Sequence, residues 1–197
     1  RYIIKGTADD SAAGGKVLKT PVITLPETII SKSLDELSFS LGATSSGNGR
    51  LIYVSSDKNV ATVSRTGKVT LTGCGTAVIT ITTRETSTYE SAVCMVSLYV
   101  EPKGQSIRFV NSPASGQLKV GWVQDKKVTG YQIRYSESAD MTDAKVRTLE
   151  GNSSMSVLIN GIDPGKYYVQ VRSYKLLEGT TILAGAWSSA KKAEVAE

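Results

Sequence analysis

Residues 51–82 read LIYVSSDKNVATVSRTGKVTLTGCGTAVITIT, and this stretch decides the fold of the first half of the chain. Three turn-rich segments, SSDKN, RTG and GCG, divide it into four short runs in which apolar and small polar residues alternate. A period of two with many β-branched residues and turn formers at each boundary predicts half-buried strands of an antiparallel sheet. Asp57 and Asn59 are residues that hydrogen-bond their own backbone in turns. The stretch contains no catalytic motif, so it predicts a fold and no chemistry.

The composition is that of a globular protein with many turns. Of the 197 residues, 40% are hydrophobic and 21% are charged, which is enough for one or two packed domains. Strand-like runs recur at short intervals and no helical period is visible, so we predict an all-β chain. No apolar run approaches the roughly 18 residues of a membrane span, and we therefore expect no membrane insertion.

The chain is basic, with a net charge of +5 and a pI of about 9.1, but its cations are scattered. The densest clusters are the pairs Lys126-Lys127 and Lys191-Lys192. Nucleic-acid binding requires a basic stripe with interleaved stacking aromatics, so we expect no nucleic-acid partner. A weak long-range attraction to acidic glycans or to an anionic cell envelope remains open.

The absence of histidine is the most discriminating feature of the composition. It excludes Ser-His-Asp and Cys-His nucleophile systems and imidazole metal ligands. The carboxylates Asp140 and Asp143 lie between predicted strands, where we interpret them as turn and capping residues. Asp9 and Asp10 supply too few oxygens for the six to eight that calcium takes. We therefore predict no enzymatic activity, no cofactor and no metal site.

The two cysteines, Cys74 and Cys94, are predicted to be free thiols. If 76–83 and 91–100 form a hairpin, Cys94 lies near Thr80, and Cys74 is roughly 20 Å away at about 3.3 Å per residue. A disulfide requires Cα atoms within about 7 Å. We interpret Cys94 as a small buried hydrophobic residue and Cys74, between two glycines, as a turn residue.

Turn-rich segments divide the chain into a linker or the end of a preceding module at 1–19, a first β-sandwich at 20–103 and a second at 104–197. The boundary is the sequence EPKGQ at 101–105. Besides residues 51–82, the first sandwich is predicted to contain strands at Val22–Leu25, Leu37–Leu41, Arg50–Ser55 and Ala92–Val100. The second is predicted to contain strands at Ser106–Val110, Gln117–Val123, Thr129–Ser136, Ala144–Leu149, Met155–Asn160, Lys166–Leu176 and Ile182–Val195.

The first sandwich resembles the bacterial immunoglobulin-like group 2 (BIG2) domain. The resemblance rests on the motifs VATV at 60–63, GKV at 67–69 and GCGTA at 73–77, which match that family in order and spacing. Cys74 stands where the family usually has a small polar or aliphatic residue. The resemblance implies an immunoglobulin-like β-sandwich from a bacterial protein.

The second half resembles a fibronectin type III domain over about ninety residues. The resemblance rests on Trp122, on GYQIRY at 130–135 and on IDPG at 162–165 before YYVQVR. It implies a tyrosine-corner role for Tyr167, whose hydroxyl would bond upstream backbone. One residue fewer than usual precedes this tyrosine, so Tyr168 is the alternative. No Arg-Gly-Asp tripeptide occurs, so the resemblance implies no integrin binding.

Alternation along the predicted strand 166–176 defines a candidate face. If Tyr167, Val169 and Val171 point inward, the even-numbered residues point outward. Two interpretations stay open: an arginine–tryptophan ladder that covers the sheet, or a ligand face built from residue types common at interface hot spots. A flat face suits a protein or glycan better than a small metabolite. The candidate residues, with Trp187 expected on the last strand, are Arg134, Tyr168, Arg172, Tyr174 and Trp187.

The combination of these two domain types resembles the surface proteins of Gram-positive gut bacteria. We therefore predict two tandem immunoglobulin-like β-sandwiches that serve as structural or adhesion modules of an extracellular protein, either on the bacterial cell surface or secreted. We expect a monomer that spaces other domains and binds a protein or glycan on a host or neighbouring cell. The alternatives are a dedicated binding module for a host glycoprotein (an immunoglobulin or a mucin) and an accessory region of a polysaccharide-degrading enzyme.

Overall fold

The structure is a computed structural model that describes residues 16–178 and 180–196. The chain is built from β-strands, as predicted, with a single 3-10 helical turn at Leu34–Glu36 in the described part. It divides into two compact units, the first comprising the residues up to Lys32 and Glu36–Val100, the second Ser33–Asp35 and the residues from Glu101. The predicted linker at 1–19 and the Asp9-Asp10 pair lie, up to residue 15, outside the described residues.

The first unit forms a four-stranded sheet in the order β2-β9-β8-β5, a three-stranded sheet in the order β3-β7-β6 and a short β1-β4 pair. The prediction of four strands in residues 51–82 is confirmed by β5 to β8. The strands of this unit are β1 (Ile23–Thr24), β2 (Ile29–Ser33), β3 (Ser38–Ser40), β4 (Thr44–Ser45), β5 (Leu51–Ser55), β6 (Ala61–Val63), β7 (Lys68–Leu71), β8 (Gly75–Thr83) and β9 (Val93–Glu101).

The sequence analysis missed strand β2. Ile30 is the one buried residue of this strand, and the strand sequence, IISKS, does not alternate between apolar and polar residues. The next predicted strand is shorter than expected, because Leu37 adopts φ 61° and β3 starts after it. A positive φ is costly for a residue with a Cβ, and sequence alone does not show it.

The core of the first unit consists of residues that alternate along β7, β8 and β9, including Val69, Ile79, Ile81 and Val96, all 0% exposed.

The turns between these strands contain the residues that the sequence predicted for them. Asp57 Oδ1 accepts a hydrogen bond from the Asn59 amide at 2.8 Å. Gly67 has φ 77°, and a Cβ there would lie 2.9 Å from the Tyr53 ring, so this turn requires glycine.

Neither Cys74 nor Cys94 forms a disulfide bond, as predicted. Cys94 lies opposite Ile81, one residue from the predicted partner. Cys74 lies in a bend, as predicted, and is buried, whereas Cys94, which was expected to be buried, is half-buried. Cys94 is the second residue of β9, and the first three residues of this strand are exposed or half-buried, whereas buried residues begin at Val96.

The second unit pairs a three-stranded sheet, in the order β10-β11-β14, with a sheet in the order β13-β12-β15-β16, in which β17 also pairs with β15. Trp122, Tyr131, Ile133 and Val169 are fully buried, as predicted from alternation, whereas Tyr135 is half-buried. Its strands are β10 (Ile107–Asn111), β11 (Gln117–Trp122), β12 (Gly130–Ser136), β13 (Lys145–Glu150), β14 (Ser156–Asn160), β15 (Gly165–Leu176), β16 (Ile182–Ala184) and β17 (Lys191–Val195).

The tyrosine-corner role implied for Tyr167 is wrong. Its hydroxyl lies 3.4 Å from a carboxylate oxygen of Glu137 and makes no backbone bond within the described residues. The alternative, Tyr168, instead has the lysine ammonium groups of Lys166 and Lys192 over its ring. The hydroxyl of Tyr131 is the one that makes a short backbone bond: it accepts from the Asp125 amide at 2.7 Å, whereas the Tyr174 hydroxyl lies 3.5 Å from the Leu149 carbonyl.

We predict that Ile133→Ala lowers the free energy of unfolding of the second unit by about 2–5 kcal/mol, because this side chain is 0% exposed and its loss leaves a cavity. Denaturant unfolding followed by tryptophan fluorescence measures this unit, since both tryptophans, Trp122 and Trp187, lie in it. Val146→Ala, at a side chain 56% exposed, is the control and should change stability by less than about 0.5 kcal/mol. Equal losses in the two variants would contradict this packing.

We predict that Tyr131→Phe costs about 1 kcal/mol in the same measurement, because the Asp125 amide loses its acceptor. Tyr167→Phe should cost less than about 0.5 kcal/mol, since it removes a 3.4 Å contact with an exposed carboxylate. A larger effect at Tyr167 than at Tyr131 would contradict these hydrogen-bond assignments.

Candidate ligand-binding face

Two arginines and two glutamines form the centre of the outward side of strands β12 and β15. The strand register places Gln132 opposite Arg172 and Arg134 opposite Gln170. Arg134 Nε donates to Gln170 Oε1 at 2.7 Å, and Arg172 Nε donates to Gln132 Oε1 at 2.8 Å. Each guanidinium group is thus held by a side chain on the neighbouring strand, and both arginines are half-buried.

Both guanidinium groups lie close to the ring of Trp187. Their Cζ atoms are 4.5 Å (Arg134) and 4.3 Å (Arg172) from the centroid of its ring. At these distances each cation is attracted to the π-face, by about 0.5–1 kcal/mol at an exposed site. We call the set of Gln132, Arg134, Gln170, Arg172 and Trp187 the Arg–Trp face.

The structure corrects the position of Trp187. It was expected on the last strand, but it lies in residues 185–190, between β16 and β17. This segment stays bound to β15: the Gly185 amide donates to Ser173 O at 3.0 Å and the Ser188 amide to Val171 O at 2.9 Å. In return the Val171 amide donates to Ser188 Oγ at 3.1 Å, so a side-chain acceptor replaces a backbone carbonyl.

The Arg–Trp face holds two like charges close together. Burial lowers the pKa of Arg172, and the neighbouring charge of Arg134 lowers it further. Within residues 16–178 and 180–196, neither guanidinium forms a salt bridge with a carboxylate, and their hydrogen bonds to protein use Nε. The Nη groups are therefore the part of each arginine that can bind a ligand.

The other two predicted face residues do not join this cluster. Tyr168 lies further along β15, opposite Ser136 and Lys192. Tyr174, which was expected to be exposed, is only 4% exposed, and that expectation is wrong. Its ring lies over Gly130 on the paired strand, where a Cβ would come within 2.9 Å of it. A glycine opposite an outward tyrosine lets the ring lie flat on the sheet, which alternation alone does not predict.

The sequence analysis missed an apolar outward face on the first unit. Its members lie on β5, β8 and β9, carry no charge and are between 36% and 60% exposed. The available signal was the runs LIYV at 51–54 and VCMV at 93–96, where alternation fails and both sides of the strand are apolar. The residues of this face are Ile52, Val54, Val78, Val93, Met95 and Tyr99.

The predicted turn role of the acidic residues near 140 is confirmed for Asp140. Its Oδ1 accepts from the Thr142 amide at 2.9 Å and from the hydroxyls of Thr142 and Ser138 at 2.6 and 2.7 Å. These bonds lower the pKa of Asp140 to about 2.

No group of three potential His, Cys, Asp or Glu metal ligands occurs among the described residues. The part of the chain that the structure covers contains no helix of the length and apolarity needed to cross a membrane.

Comparison with known proteins identifies an immunoglobulin-like segment in the first unit. The family model of the immunoglobulin-like domain of intimin matches residues 41–85, which include the four strands β5 to β8. The assignment to group 2 of the bacterial immunoglobulin-like domains is not part of this match. No curated protein matches the chain.

Solved structures similar to the chain include fibronectin type III domains. The FN1–FN3 domains of chicken CNTN1 are 16% identical, with 76% of this chain and 57% of that chain covered and a TM-score of 0.42. The third fibronectin III domain of human KIAA0343 protein is 21% identical, with 48% and 82% covered and a TM-score of 0.38. The FN5 domain of Drosophila Lar is 18% identical, with 49% and 98% covered and a TM-score of 0.37.

We predict that Arg172→Ala exposes Trp187 and increases quenching of its fluorescence by acrylamide, because the stacked guanidinium shields the ring. Stability should fall by about 0.5–1 kcal/mol from the lost stacking. Trp122 is 0% exposed and supplies a constant, poorly quenched background. Arg147→Ala, at an exposed arginine on β13, is the matched control and should leave quenching unchanged. Unchanged quenching in Arg172→Ala would contradict the stack.

Proposed function

We propose that the chain is a pair of non-catalytic β-sandwich modules of a bacterial cell-surface or secreted protein. The modules space other domains, and the second binds a protein or glycan on a host or neighbouring cell through the Arg–Trp face. The match of residues 41–85 to an immunoglobulin-like domain supports the structural role of the first module. The motifs at 60–63, 67–69 and 73–77 support its assignment to group 2 and a bacterial extracellular location.

The observation on which the binding role rests is the stack of Arg134 and Arg172 on Trp187 without a carboxylate partner in the described residues. Arginine and tryptophan are the residue types most enriched at binding hot spots. The glutamine bonds to both Nε atoms orient the guanidinium groups in advance, so less side-chain entropy is lost when a ligand binds.

The shape of the site favours a macromolecular ligand. The Arg–Trp face lies on the outward side of strands β12 and β15, and a sheet face suits a macromolecule better than a small metabolite, which binds in a cavity. Planar guanidinium groups with free Nη donors recognise carboxylate, sulfate or phosphate groups in bidentate geometry. Acidic protein side chains and acidic glycans present such groups on flat surfaces.

We expect the chain to retain ligands on a printed glycan array or in a pull-down from host secretions. Trp187→Ala should reduce the retained signal at least about tenfold, the order expected for a hot-spot residue. Arg147→Ala is the control for a general loss of positive charge. Far-ultraviolet circular dichroism checks that each variant is folded.

Two results would overturn the proposal. The first is that the chain retains nothing from either source. The second is that Trp187→Ala and Arg147→Ala bind as the unaltered chain does, which would leave the stack as a purely structural ladder.

A further inference from the structure

A concave site lies at one end of the second unit, and its role is independent of the function proposed for the Arg–Trp face. It is formed where β12 ends, by the loop that follows and by the start of β15. Its volume is about 430 Å³, within the range of pockets that hold small ligand groups. We call it the acidic tyrosine pocket, and its principal residues are Tyr135, Glu137, Asp143, Lys145 and Tyr167.

Two aromatic rings form the apolar wall of this pocket. Tyr135 and Tyr167 contact each other edge to face, with ring centroids 6.3 Å apart and an interplanar angle of 64°. Tyr167 is 6% exposed and rigidly placed by β15, whereas Tyr135 is half-buried and opens to the pocket. Tyrosine faces attract cations and pack against methylene groups, so this wall suits an alkyl chain that ends in a positive charge.

The hydroxyl groups of the loop are already used as donors. Ser136 Oγ donates to the Thr142 carbonyl at 2.7 Å, and the hydroxyls of Ser138 and Thr142 donate to Asp140. A sugar, whose hydroxyls both donate and accept, would find few donors here.

The polar groups left for a ligand are mainly acceptors. Within the described residues, the Glu137 carboxylate has one long contact, 3.4 Å from the Tyr167 hydroxyl. The Asp143 carboxylate has no hydrogen-bond partner there, and both residues are exposed. A carboxylate can accept about four hydrogen bonds, so most of this capacity is open. The pocket therefore requires a ligand that donates hydrogen bonds.

The charge of the pocket is negative in a chain whose net charge is +5. Two carboxylates, Glu137 and Asp143, face one ammonium group, that of Lys145. The pKa of Tyr167 is raised by burial first and then by the charge of Glu137, which is consistent with a negative potential at the wall. Lys145 forms no salt bridge with either carboxylate in the described part of the chain.

From the cavity, its tyrosine wall and its open acceptors, we propose that the acidic tyrosine pocket binds the alkylammonium side chain of a lysine from a protein partner. The methylene stem packs on Tyr135, and the ammonium group donates to Glu137 and Asp143. The ammonium group of Lys145, which also lines the pocket, weakens binding of this ligand by repulsion between like charges.

The test is a ¹H–¹⁵N NMR titration of the full chain with Nα-acetyl-lysine methylamide. The amides of Glu137, Thr142, Asp143 and Tyr167 should shift together and saturably. Asp143→Asn should weaken binding about three- to tenfold, as expected for one exposed charge-assisted bond. This variant keeps the loop intact, because asparagine tolerates the φ of 55° at this position. Glu194→Gln, an exposed carboxylate on β17, is the control and should bind as the unaltered chain does.

A second variant and two further probes keep the proposal falsifiable. Lys145→Gln should strengthen binding of the lysine probe, because it removes the competing cation. Nα-acetyl-norleucine methylamide, which has the same stem without the charge, should bind more weakly. Equal binding of the two probes, or tighter binding of methyl glucosaminide, would overturn the assignment to lysine. The absence of a saturable chemical-shift change at about 50 mM probe would also overturn the assignment, because the Kd would then be weaker than the millimolar range.

Discussion

Strand β15 is the constraint on which the second unit depends. It pairs with β12 along seven residues and with β16 and β17 on its other edge. Successive side chains of a strand point to opposite sides, so its odd-numbered residues from Tyr167 to Val171 build the core. The same alternation places Gln170 and Arg172 on the outer side. The packing of the core therefore fixes the position of these two residues of the Arg–Trp face.

The interruption between β16 and β17 is as important as the pairing. A continuous last strand would place its side chains at fixed register positions opposite β15. Residues 185–190 instead keep a few bonds to β15, including one to the Ser188 hydroxyl. These bonds hold the Trp187 ring with its centroid 4.5 Å from the Cζ atom of Arg134 and 4.3 Å from that of Arg172. The result is a rigid, cationic and aromatic surface on an otherwise ordinary sandwich. Irregularities of this kind in a strand commonly re-aim a side chain toward a site.

The two units present different outer surfaces. The first exposes uncharged apolar side chains on its four-stranded sheet, and the second exposes the Arg–Trp face together with an acidic pocket at one end. Apolar patches of a few hundred Å² occur on typical monomers and often have a function.

The sequence by itself determined the all-β class, the four strands of residues 51–82, the inward residues of the second unit except Tyr135, and the absence of a disulfide, because these follow from local alternation, turn chemistry and distances along the chain. It also placed Arg134 and Arg172 correctly on the outer side. Only the tertiary structure decided that Tyr174 is buried over Gly130, that Tyr131 and not Tyr167 is tied to backbone, and that Trp187 sits in an interruption between strands. These features depend on which residue lies across a strand pair, and a period of two along one strand contains no information about its neighbour.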